Sequence, residues 1–153
     1  MGKYIAEDFL KRLFGELSLE VISQQGLNRA SIVRTSDRVA AYNLVTFLDG
    51  SSKFPEAHEA ILKGEPIGQT FRGRGYDVDR AEDCCFLYPF PRKLREIVGG
   101  ESGFVKGLSI VVRGIPYAEI VEIYSPHVLF PSEFEAVEGA VDKVRGRLDR
   151  EFA

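Results

Sequence analysis

The sequence predicts an α+β fold: one domain over residues 1–153, an antiparallel sheet of about six strands with several helices on it, and an amphipathic helix at the C-terminal end. Three observations predict it. Short alternating apolar runs are separated by tight polar turns, the signature of antiparallel pairing. Phe104 to Arg113 and Pro116 to Tyr124 form the clearest hairpin, turning at Arg113-Gly114. The last segment repeats its apolar residues at helical rather than strand spacing.

The elements follow in order. Asp8 to Gly15 reads as a short amphipathic helix, with Phe9, Leu10, Leu13 and Phe14 as its stripe. Leu19 to Ser23 is β-branched and weakly alternating, so a strand follows and turns at Gln24-Gln25-Gly26. Leu27 to Val33 and Val39 to Phe47 are the next strands, joined through Thr35-Ser36-Asp37. Pro55 opens a helix through Lys63. Gly64-Glu65-Pro66-Ile67-Gly68 breaks it, and a short helical or irregular stretch reaches Arg74-Gly75. Asp77 to Arg80 and Cys84 to Tyr88 read as extended pieces, stopped by Pro89 and Pro91. Arg92 to Val98 forms a helical turn ending at Gly99-Gly100. Ser132 and Glu135 then make a capping-box pattern for a helix over about 132–152. Phe134, Val137, Val141, Val144, Leu148 and Phe152 share its apolar face, which docks on the domain or, as the alternative, builds a homodimer contact.

Composition excludes several classes. Hydrophobic residues make up 44% and charged residues 28%, ordinary for a globular protein of 153 residues. A net charge of -3 argues against general nucleic-acid binding, and Arg72-Gly73-Arg74-Gly75 is too short to reverse that. No apolar run is long enough to span a membrane, and Met1 to Asp8 lacks a signal-peptide core, so a cytoplasmic location is expected. Cys84 and Cys85 are adjacent and read as small apolar strand residues facing opposite sides. His58 and His127 lack zinc spacing, with His58 expected on an exposed helix face, and no metal site is expected. There is no phosphate loop, nucleophile elbow or dinucleotide fingerprint.

Three features point to a small-molecule site. Glu122 shares a strand face with Ala118 and Ile120, and a carboxylate on an apolar face must be paired, protonated or exposed in a pocket. Its structural reading, pairing with an arginine, is as good as a chemical one. Arg29 stands in a strand among apolar neighbours, where its fork suits a ligand carboxylate; the plainer reading is an edge arginine facing water. Pro66-Ile67-Gly68 leaves backbone N–H groups that suit an anion, or simply marks a helix boundary. Arg80 and Arg113 are further candidates for a cationic wall, though Arg80, set among acids, also reads as a surface ion pair.

The order of these pieces resembles the chorismate pyruvate-lyase family, in particular its archaeal and mycobacterial chorismate-lyase-like branch. The resemblance rests on Asn28-Arg29-Ala30-Ser31-Ile32-Val33, Glu65-Pro66-Ile67-Gly68, Asp79-Arg80-Ala81-Glu82 and Glu122-Ile123-Tyr124-Ser125-Pro126, and covers roughly Phe9 to Pro126. It implies a ligand pocket closed under helical flaps and removal of pyruvate from chorismate to leave 4-hydroxybenzoate, without metal or organic cofactor. It makes Arg29 the anchor of the ring carboxylate, helped by the Ile67 amide beside Gly68, and Glu122 the catalytic carboxylate, acting as general acid/base. The bacterial ubiquinone-pathway enzymes carry a second arginine near Asn43-Leu44, so Asn43 falls in the substrate site; if that charge is needed, either Arg80 or Arg113 supplies it or the substrate differs. The family's first helix often begins in a small polar loop, where this chain has Ala6-Glu7-Asp8-Phe9. The expected partner is a small carboxylate, chorismate or a related aromatic acid, with neither nucleic acid nor membrane. The alternative is a non-catalytic binder of a small aromatic acid, since the same fold serves as a sensor module in transcription regulators. A protein with no small-molecule role is the third reading.

Overall fold

The computed structural model describes residues 6–153. The readings of Met1 to Ile5, and of the side chains of Ala6, Glu7 and Asp8, lie outside the described residues. The chain is α+β. A short helix α1 (Ala6–Phe14) leads into β1 (Ser18–Gln25), β2 (Asn28–Arg34) and β3 (Val39–Phe47). A 3-10 turn (Asp49–Lys53), α2 (Pro55–Leu62) and α3 (Ile67–Gly73) follow. Then come β4 (Val78–Pro89), α4 (Arg92–Val98), β5 (Ser102–Val112), β6 (Ile115–Tyr124), a two-residue β7 (Phe134–Glu135) and α5 (Ala140–Glu151). The strands form one open antiparallel sheet in the order β1-β2-β3-β6-β5-β4-β7.

Strand alternation divides the core between the two sheet faces. Ile32, Tyr42, Leu44, Cys84, Phe86, Val105, Val121 and Ile123 point to the back, where Leu94 and Val98 of α4 and Val144 and Leu148 of α5 cover them. Val45, Phe47, Leu108, Ile110, Ala118 and Ile120 point to the front, under α2, α3 and the 3-10 turn. Leu10 of α1 closes the front at the other end with Val33, Ala41, Tyr124 and Val128. Leu13, expected in the α1 stripe, is 52% exposed, so that stripe is narrower than its spacing suggested.

Two expectations about elements are corrected. The stretches around Asp79 and Cys85 are one strand, β4, continuous through a bulge between Glu82 and Cys84. The extra residue, Asp83, switches the alternation. Arg80 and Glu82 therefore share the front face with Cys85, while Cys84 joins Phe86 and Tyr88 at the back. Both cysteines are buried and free.

The C-terminal helix begins at Ala140, not near Ser132. Cys84 and Cys85 pair with Glu135 and Phe134, and the Asp83 carbonyl accepts from Ala136 N and Val137 N. The Glu133 carboxylate takes the Leu87 N–H at 2.6 Å, so the segment serves the edge of β4. Glu135 accepts the Val141 N–H at 3.0 Å in place of a capping-box bond to its own helix start. Gly139, in the left-handed region at φ 82°, makes the turn into α5. Phe134 and Val137 are left exposed, whereas Val144, Leu148 and Phe152 dock on the sheet. Gly107 permits that docking: a β-carbon there would stand 2.8 Å from Val144 Cγ2.

Candidate functional site

A cavity of about 80 Å³ lies between the front of the sheet and the covering helices. That is several times the roughly 10–15 Å³ one water needs. Its wall includes Arg29, Ser31, Asn43, Ile67, Gly68, Arg80, Ile110, Ile120, Glu122 and Tyr124, with Leu10 of α1 above. The register explains the convergence. Ser31 lies opposite Asn43, Asn43 opposite Glu122, Glu122 opposite Lys106, and Lys106 opposite Cys85. Directly opposed residues share a face, so a polar row crosses the front, and Arg29, Arg80 and Glu82 stand in the rows beside it.

Glu122 is 3% exposed and hydrogen-bonded through both carboxylate oxygens. Arg80 reaches it with both ends of its fork: Nη2 to Oε1 at 2.8 Å and Nη1 to Oε2 at 3.1 Å. The Tyr124 hydroxyl, two residues along the same strand face, donates to Oε1 at 2.5 Å. Burial by itself would raise the Glu122 pKa; the Arg80 charge, the bonds from Arg80 and Tyr124, and Lys106 outweigh it and hold the carboxyl below its ordinary value. The sequence left Glu122 paired, protonated or exposed in a pocket; the paired state is found, and its pKa is lowered rather than raised. An apolar wall alone would have raised it, but a bidentate arginine adjoins it.

Arg80 is also corrected. Its side chain is only 7% exposed, so it is no surface ion pair. Burial opposes its charge, but Glu122 more than compensates, and Glu82 lies 3.8 Å away. Lys106 joins the cluster through Glu82 at 3.1 Å, with its ammonium 4.2 Å from the Phe130 ring centroid. Phe130 in turn meets Tyr124 edge-on and stacks on Phe9 of α1.

Arg29 occupies the other side of the cavity. It lies on the interior strand β2 and is 3% exposed, so the water-facing edge reading does not hold. Nη1 donates to the Ile61 carbonyl in the last turn of α2 at 2.7 Å, and the guanidinium stands 5.7 Å from the Phe47 ring centroid. Pro66 precedes α3 in an extended conformation with no side-chain cap, so the first-turn amides of Ile67 and Gly68 have no helical acceptor. Asn43 Oδ1 is buried and makes no hydrogen bond among the described residues.

Arg29 pairs with Val45, and Val45 with Ile120, two residues before Glu122. Strand spacing and rise then put the Arg29 and Glu122 α-carbons about 12 Å apart.

Other candidates fall elsewhere. Arg113 sits in the β5–β6 turn at φ 51°, its guanidinium 4.2 Å from the Tyr76 ring centroid, and does not line the cavity. His58 is half-buried rather than exposed, sharing a 2.6 Å hydrogen bond with Tyr117. Burial first, then the Arg29 charge, holds it below its ordinary pKa. Tyr124 was not singled out from the sequence. Its signal was the two-residue spacing from Glu122, which puts both side chains on one strand face.

No protein-family model matches the chain, and no curated protein matches its sequence. Among solved structures, the chain is similar to the possible transcriptional regulator YydK from Bacillus subtilis subsp. subtilis str. 168, at 11% identity and a TM-score of 0.49. The match covers 76% of this chain and 59% of that one, so the chain spans less than two thirds of that protein.

Proposed function

We propose that this chain is a cofactor-independent lyase of the chorismate pyruvate-lyase type, converting chorismate to 4-hydroxybenzoate and pyruvate. One observation carries the reading: Arg29 and the Glu122–Arg80–Tyr124 cluster line the same cavity. With the ring carboxylate on Arg29 and the Ile67 and Gly68 amides, the far edge of the ring points toward Glu122.

The chemistry is an elimination. Ionised Glu122 takes the proton from the ring carbon that bears the hydroxyl. The C–H electron pair becomes the last ring double bond, and the adjacent C–O pair departs with the enolpyruvyl group. The proton then passes from Glu122 to the methylene carbon of that enolate, giving pyruvate. Aromatisation supplies the driving force, so the protein mainly orients and shields the substrate. Arg80 supplies the charge beside the leaving group that the bacterial enzymes place near Asn43. Glu122 starts as a base and becomes an acid only after receiving the substrate's proton.

The engagement of both Glu122 oxygens by protein donors favours a second reading, a binder of a small aromatic acid that uses the cluster only for recognition. Incubation with chorismate, following pyruvate and 4-hydroxybenzoate, separates the two. The lyase reading expects turnover that Glu122→Gln lowers by about 10²–10⁴-fold while 4-hydroxybenzoate still binds. Binding without product in the wild-type protein would leave the binder; equal turnover in the variant would remove Glu122 from the mechanism.

A further inference from the structure

The two oxygens of Glu122 are not equivalent. Oε1 accepts from both Tyr124 and Arg80 Nη2, whereas among the described residues Oε2 accepts from Arg80 Nη1 alone. We propose that Tyr124 is a positioning residue that pins Oε1, and that Oε2 is released as the reacting oxygen when a second carboxylate on the ligand draws Arg80 away. This rests on the pocket reading above, with its ring acid bearing a second, ether-linked carboxylate, and adds to it a trigger and a positioning residue.

The geometry supports an exchange rather than a rupture. Arg80 itself lines the cavity, and its fork can turn from one carboxylate to another without losing a partner. Tyr124 cannot follow, because it is buried and its ring packs against Phe130. Glu122 would thus keep one donor and its orientation while losing its bidentate cation. The charged and titratable groups around it are Arg80, Glu82 and Cys85 on β4, Lys106 on β5, Tyr124 on β6 and Arg29 on β2, with Arg72 and Asp77 at the cavity wall. Of these, Arg80 alone holds both Glu122 oxygens, so its departure is the change that makes Glu122 more basic.

Calorimetry reads the exchange directly. The wild-type protein is titrated at about pH 6, in two buffers of different ionisation enthalpy, with 3-carboxymethoxybenzoate and with 4-hydroxybenzoate. The dicarboxylate is expected to bind with net proton uptake, because Glu122 gains proton affinity as Arg80 leaves; the monocarboxylate is expected to bind with none. Tyr124→Phe, which keeps the ring and removes the donor, is expected to lower kcat about tenfold with KM little changed. It should also move the acid limb of the kcat profile to higher pH, since Glu122 loses a bond to its charged form. Binding of both ligands without proton uptake, or an unmoved acid limb in Tyr124→Phe, overturns the exchange and leaves the pocket reading standing. Failure of both ligands to bind removes the pocket reading and the exchange with it.

Discussion

Glu122 and Arg80 form a buried ion pair, and such a pair contributes less to stability than its short distances suggest. Desolvating both charges costs several kcal/mol, and their mutual attraction roughly offsets this. Removing one partner is a different matter, because it strands the other. Glu122→Leu should therefore destabilise the fold by about 3–5 kcal/mol, while the double variant Arg80→Met/Glu122→Leu should recover most of that loss. Urea midpoints of the single and double variants check this; a double variant as weak as the single one would show that the pair itself stabilises. The pH dependence has a definite sign. The folded carboxyl is held below its ordinary value, so its contribution is present above the unfolded carboxylate value of about 4.3 and is lost as pH falls through the folded value. Acid should thus weaken the wild-type fold more steeply than the double variant. At this scale much was legible in the sequence. An isolated carboxylate on the Ala118-Ile120 face demanded a partner, and Arg80 was among the few arginines able to supply one. Its burial was not legible, because Asp77, Asp79 and Glu82 around it read as a solvated run. Strand alternation sends Arg80 inward while its sequence neighbour Asp79 faces out.

Elements were legible where a local period ran uninterrupted and were misread where backbone irregularities intervene. The β5–β6 hairpin turns at Arg113-Gly114 as its sequence indicates, with both residues at positive φ. A bulge between Ile110 and Val111 then puts Tyr117 as well as Ala118 into the front core, against simple alternation. The bulge at Asp83 had a similar effect on β4, splitting its pattern into two apparent strands. The start of α5 was misplaced because Phe134 and Val137 happen to extend the helical stripe, while the unpaired edge of β4 captures their backbone. If Glu135 serves the helix by accepting the Val141 N–H, Glu135→Ala should cost about 0.5–2 kcal/mol. A conventional capping box at Ser132 would instead make Ser132→Ala the costly change. Thermal midpoints of the two variants distinguish the arrangements.

The molecule as a whole carries a packed core on each face of one sheet and opens the Arg29–Glu122 cavity on the front face alone. No local pattern revealed this, because it depends on β3 pairing with β6 across a long stretch of sequence. That pairing brings Arg29 to within two strands of Glu122, whereas the sequence offered only their order along the chain. Back-face packing is continuous from α4 to α5, and Leu148 at its centre is fully buried without lining the cavity. Leu148→Ala should therefore cost about 2–5 kcal/mol of stability while leaving 4-hydroxybenzoate affinity unchanged in the folded protein. Leu10→Ala removes a comparable side chain from the front face, where it both packs against Val33 and Tyr124 and closes the cavity. It should lower stability and also weaken ligand binding, because water then reaches the Arg29 and Glu122 groups and screens them. Paired denaturation and binding titrations on these two variants test the division of labour. Equal losses of affinity would mean that the sheet couples its faces, and that the back layer sets the shape of the cavity as well as the stability of the fold.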